Sequence, residues 1–120
     1  MQVSAQKLNK TIEDQVFAIL FQVVNDSRGV GEAELLLKEL LSETELIAVA
    51  KRLAIAIYLD KGRSYENIKG VLKVSSATIA QVQEKMGNPG MQLALRKVKT
   101  EEWAQGWSDK LADVFGRRKK

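Results

Sequence analysis

The stretch ETELIAVAKRLAIAIYLD, residues 43–60, contains no proline or glycine and sets Leu, Ile, Val and Ala on nearly every side of a helix. A helix that is apolar almost all round must be covered almost all round, so it is expected to be the central buried element. Its ends are marked. Ser42 and Glu45 have the spacing of a capping box, and Gly62 is placed as a C′ glycine. The chain has one proline and no alternating β-rich run, and 45% of its residues are hydrophobic. An all-α fold of about six helices with a real core is therefore expected.

The flanking segments read as helices too. Thr11 is a candidate cap for a first helix, with Glu13 and Asp14 in the first turn. Ile12, Val16, Ile19, Leu20 and Val23 keep helical spacing, and Phe17, Phe21 and Val24 form a second stripe beside them. That apolar width exceeds what a small monomer covers, which points to a second copy of the chain. NDSRGVG is a turn, and EAELLLKELL is a short, Leu-rich second helix. After Gly62, Ser64 caps YENIKGVL, and Ser75 or Ser76 caps SATIAQVQEKM. GNPG ends that helix and MQLALRKV follows as a sixth segment. The reading divides the chain into a helical domain, 1–98, and an amphipathic C-terminal helix with a basic tail, 99–120. That last helix starts at Thr100 and carries Trp103, Trp107, Leu111, Val114 and Phe115 at helical spacing.

Composition narrows the function. There is no cysteine and no histidine. Disulfides, thiolate metal sites, the commonest metal ligand and the commonest general base are all excluded, so neither an enzyme nor a cofactor is expected. The carboxylates sit at helix starts or among lysines, as solvated faces do. MQVSAQKLNK lacks the apolar run of a signal peptide, and VFAILFQVV is too short to span a bilayer. A cytoplasmic protein with no membrane partner is the expectation. Residues 1–60 carry 6 Lys/Arg against 9 Asp/Glu, and residues 61–120 carry 13 against 6. The basic half suits a polyanion, or it is simply a solvated surface with a basic tail.

Two short helices joined by a tight turn at 64–86 have the apolar spacing of a helix-turn-helix. Ile68 and Leu72 would hold the first helix, Val74 would pack inward from the turn, and Ile79 and Val82 would anchor the second. Ser76, Ala77, Thr78, Ala80 and Gln81 are left for the major groove, where small side chains let the backbone approach the bases. With Lys69, Lys73 and Ser75 they are the candidate DNA-binding residues. Two positions depart from the usual pattern. Lys69 follows Ile68 where a small residue is usual, and Lys73 stands where glycine is usual, so it must accept an unfavourable φ or a different turn. The alternative is a helical hairpin used only for packing.

Residues 40–86, LLSETELIAVAKRLAIAIYLDKGRSYENIKGVLKVSSATIAQVQEKM, resemble the Trp repressor family, and especially its Trp-repressor-like branch in bacteria. The matching pieces are LLSETE, KRLAIA, the DKG before the motif, and SSATIAQV where the branch carries STATISRV. The resemblance covers roughly residues 35–98. It implies an intertwined, all-helical homodimer that binds operator DNA through Ala77, Thr78 and their neighbours, with Lys69 on the backbone. It also implies water-mediated base contacts, as described for the Trp repressor.

The family's ligand pocket carries over only in part, and the candidate positions are Ser42, Arg52, Gln81 and Val82. Arg52 matches the first of two arginines that sandwich tryptophan in the Trp repressor. The second falls at Gln81. Val82 fills a glycine position, and Ser42 replaces a threonine. The resemblance thus implies a regulator that does not use tryptophan as corepressor, with another small molecule left open. From spacing alone, Arg52 is either a solvent-strip residue beside Lys51 or an arginine facing an anion or partner.

Three functions remain in view. One is a sequence-specific regulator that binds double-stranded DNA as a homodimer. Another is a helical protein-interaction module with no specific DNA target, using the Trp103 and Trp107 stripe. The third is nonspecific nucleic-acid binding through Lys and Arg alone. Sequence preference and salt dependence separate them.

Overall fold

The computed structural model describes Val3 and residues 6–105, the last five by backbone alone. Among these residues the protein is all-α. Its elements are α1 (Lys10–Asp26), α2 (Gly29–Leu40), α3 (Glu43–Asp60), α4 (Tyr65–Leu72), α5 (Ser76–Glu84) and α6 (Pro89–Gln105). No helix among the described residues is long and apolar enough to cross a membrane.

Helix ends follow local side-chain chemistry. Asn9, not Thr11, caps α1: its side-chain oxygen accepts from the Thr11 backbone N–H at 2.9 Å. The α2 helix starts at Gly29, three residues earlier than the Leu-rich pattern suggests, and the Arg28 N–H finds the Glu32 carboxylate at 3.0 Å. The capping box of α3 is formed. Ser42 N–H donates to Glu45 Oε1 at 2.7 Å, and Glu45 N–H donates to Ser42 Oγ at 3.1 Å. The Ser42 N–H on its carboxylate, and after it the nearby Ser42 hydroxyl, hold the Glu45 carboxyl below its ordinary pKa.

At the other end of α3, Gly62 lies at φ 77° and donates to the Leu59 carbonyl, while Arg63 N–H reaches the Tyr58 carbonyl. That pair of bonds is a Schellman motif, and it needs the left-handed conformation that glycine adopts without cost. Pro89, read from the sequence as a helix breaker, is the first residue of α6. The missing N–H of a proline costs nothing at that position. The same helix then runs unbroken through Lys99 and Thr100 to Gln105, so the sixth segment and the start of the expected last helix are one element. Trp107, Leu111, Val114, Phe115 and the basic tail lie outside the described residues, as does the side chain of Trp103.

The chain divides into two compact units, residues 1–48 and 49–120. In the first, neither α1 nor α2 contains a buried residue. Phe17 and Phe21 stack with ring centroids 6.0 Å apart, yet both are at least half exposed. A groove of about 360 Å³ is lined by Val23, Asp26, Ser27, Glu32, Leu35 and Leu36.

The second unit holds the core. Ile55, Ala56 and Tyr58 of α3, Ile68 of α4, Ile79 and Val82 of α5 and Leu95 of α6 are buried together. Val71, Leu72, Val74 and Met91 pack against them. The central-helix expectation for α3 therefore holds only for its C-terminal part. Core contacts draw on residues 55–59, while Ile47, Val49 and Leu53 remain exposed.

Candidate nucleic-acid interface

Two helices of 8 and 9 residues are too short to persist in water by themselves. Here they are held from behind. Ile68 and Ile79 are fully buried, Val82 nearly so, and Leu72 and Val74 are half-buried against the same cluster. The spacing that suggested a helix-turn-helix has become its packing: Ile68, Leu72, Val74, Ile79 and Val82 all turn to the core.

Each short helix is capped by a serine. Ser64 Oγ accepts from Asn67 N–H at 3.1 Å and Ser75 Oγ accepts from Thr78 N–H at 3.1 Å, which settles the α5 cap on Ser75 rather than Ser76. Ser75 Oγ and Thr78 Oγ1 also lie 3.0 Å apart and share a hydrogen bond. These two hydroxyls hold each other, while those of Ser76 and the amide of Gln81 stand on the outer face.

The turn carries a cost. Lys73 adopts φ 55° and ψ 56°, the left-handed conformation that sequence reading offered as one of two options for this residue. It is the one non-glycine residue at positive φ among those described. Its N–H donates to the Lys69 carbonyl at 3.0 Å, closing α4. From α3, the half-buried Lys51 brings its ammonium to 3.4 Å from the Lys73 carbonyl, a long bond that places positive charge at the α4 C-terminus.

The outer face of α5 is as flat as its residue types imply. Ser75, Ser76, Ala77, Thr78 and Gln81 are exposed, and Ala80 is half-buried at the edge of the packed side. Lys69 and Lys73 are exposed beside them, so the long Lys69 side chain does not enter the helix contact. This arrangement can place a helix of small side chains against a large partner with cations at its margin.

A model of the Trp repressor protein family matches residues 15–99 of this chain. The chain belongs to the Trp repressor family. No curated protein and no solved structure matches it. The family is one of helix-turn-helix, DNA-binding transcription regulators, not of enzymes.

The four positions that the resemblance assigned to a ligand pocket are placed as follows. Arg52 and Gln81 are exposed, while Val82 is 3% exposed and part of the core. Ser42 lies in the first unit, where its hydroxyl and its N–H are both committed to the α3 cap. None of the four lines the α1–α2 groove. Sequence reading missed two polar contacts that frame the motif: Lys51 to the Lys73 carbonyl, and the hydroxyl of Tyr65, which donates to Gln83 Oε1. Their partners lie 22 and 18 residues apart, so no local pattern signals them.

Replacing Lys73 with glycine relieves the left-handed strain, about 1–2 kcal/mol for an ordinary residue, against the larger unfolded-state entropy of glycine. The expected net is a stabilisation of about 0.5–1 kcal/mol, read by urea denaturation. A lower stability would mean that the Lys73 side chain contributes more than its backbone costs.

Proposed function

We propose that the protein is a sequence-specific transcriptional regulator that binds double-stranded DNA in the cytoplasm as a homodimer, with α5 as its recognition helix. The observation that carries this reading is the two-sidedness of α5. Ile79 and Val82 are buried while Ser76, Ala77, Thr78 and Gln81 are exposed, with Lys69 and Lys73 beside them. Ala77 and Thr78 are assigned to the bases, Ser76, Ala80 and Gln81 to the groove surface, and Lys69, Lys73 and Ser75 to the phosphate backbone.

Tryptophan is not the corepressor in this reading. Gln81 supplies no cation, and Val82 fills with core-packed carbon a position where the family has only backbone. Should another small molecule act, Arg52 is the pocket residue that remains to meet it.

The homodimer is supported by the first unit. Ile12, Val16, Phe17, Ile19, Phe21 and Val24 are each at least half exposed, on a helix with no buried residue. Contiguous apolar surface of that kind marks an interface. The same surface favours the second reading, a protein-interaction module without a DNA target. Light scattering of the full chain at micromolar concentration should give about twice the chain mass of 13.4 kDa. A stable, well-folded monomer would contradict the dimer.

Three substitutions test the DNA reading against a duplex enriched from a random pool. Ala77→Glu should preserve the fold by circular dichroism, because the site is exposed and a carboxylate in the first turn suits the helix dipole. It should abolish binding through steric exclusion and phosphate repulsion. Thr78→Ala should cost about 1–3 kcal/mol of discrimination, with the Ser75 cap retained through the backbone. Lys69→Ala should weaken all duplexes alike and lower the salt slope by about one unit. Unchanged affinity in Ala77→Glu would transfer the function to the interaction-module reading.

A further inference from the structure

The helix-turn-helix is closed covalently at one end only. At residues 73–75 the turn joins the C-terminus of α4 to the N-terminus of α5, and the strained Lys73 sits there. The other end, where the start of α4 meets the end of α5, has no chain connection. Tyr65 is the first residue of α4 and Gln83 the eighth of the nine in α5, and the Tyr65 hydroxyl donates to Gln83 Oε1 across that open end. Tyr65 is half-buried, its side chain packed against the core, so its hydroxyl is held in place; Gln83 is exposed. One partner of the bond is therefore anchored, and the other rides on the helix to be oriented.

We propose that Tyr65 is a positioning residue for the recognition helix, its hydroxyl latching the far end of α5 to α4 through Gln83. The proposal rests on the DNA-binding reading above. Its physical basis is leverage. The nine residues of α5 span about 13 Å, so a rotation of about 5° about the turn displaces its far end by about 1 Å, roughly a third of a hydrogen-bond length. Apolar contact through Ile79 and Val82 holds α5 near α4, but it is non-directional and sets the angle only loosely. A hydrogen bond at the open end is directional and sets it closely. Phosphate contacts by flexible lysines tolerate small changes of angle, whereas base-edge contacts do not, so the latch should act on specific binding.

Tyr65→Phe keeps the ring and deletes only the donor; Gln83→Met keeps the length and deletes the acceptor. In the full-length free protein, each should speed amide hydrogen exchange at residues 80–84 by about twofold to tenfold, the range one hydrogen bond supplies, and leave Ile55–Tyr58 unchanged. Each should weaken binding to the enriched duplex by a similar factor and leave an unrelated duplex unaffected. The double variant should lose no more than either single one, since both remove one interaction. Unchanged exchange in α5 overturns the latch, as do additive losses. Equal weakening on both duplexes also overturns it, and makes Tyr65 a phosphate contact. If the wild-type protein prefers no duplex, the DNA-binding reading fails, and the exchange measurement still decides whether the latch exists.

Discussion

Ile55, Ile68 and Ile79 come from three successive helices and are each fully buried in one cluster. The orientation of α5, and so every property of its outer face, depends on that junction. Burying one such side chain contributes about 1.5–3 kcal/mol, a large share of the stability of a small domain. Without it, α4 and α5 would be two short segments with serine caps and little else. Leu95 extends the cluster to α6. The flatness of the exposed face follows from this division of labour. Because two or three large apolar residues supply the docking, the others are free to be small.

The first unit has the opposite character. α1 is capped by Asn9, whereas the α2 N-cap residue makes no side-chain cap bond, and the two helices carry ion pairs such as Lys10–Asp14 at 2.9 Å and Lys38–Glu34 at 2.6 Å. Exposed pairs of this kind contribute little. What the unit lacks is burial, since Leu35 and Val30 are exposed along with the α1 stripe. A helical hairpin in that condition meets the hydrophobic effect only when another surface covers it. The same chain thus combines a self-sufficient core behind α5 with helices whose apolar residues support the proposed association.

Local chemistry was legible in the sequence wherever a residue type answers to one geometry. The Ser42–Glu45 box, the Ser64 cap, the Gly62 terminus and the inward set Ile68, Ile79 and Val82 all follow from spacing alone. Ambiguity arose where two residues can do one job, as with Asn9 and Thr11 at the start of α1. It arose again at Pro89, because proline both ends one helix and begins the next. The exposure of Ile47, Val49 and Leu53 was not legible, since composition reports what a helix needs covered and not what is there to cover it. Nor were the Lys51 and Tyr65 contacts, which exist only once α3, α4 and α5 are packed. The family resemblance is what directs attention to α5 as the proposed recognition helix. At the positions that depart from the family's pattern, Lys73 is strained, Lys69 and Gln81 are exposed, and Val82 is buried in the core.

The central claim is that α5 reads base sequence in a two-fold arrangement, and the most direct test is repeated selection of bound sites from random duplex DNA by the full-length protein. The account predicts enrichment of a sequence with two inverted half-sites centred about one helical turn, 34–36 Å, apart. Recovery of no enriched sequence at physiological salt, from a protein shown to be folded, would contradict it.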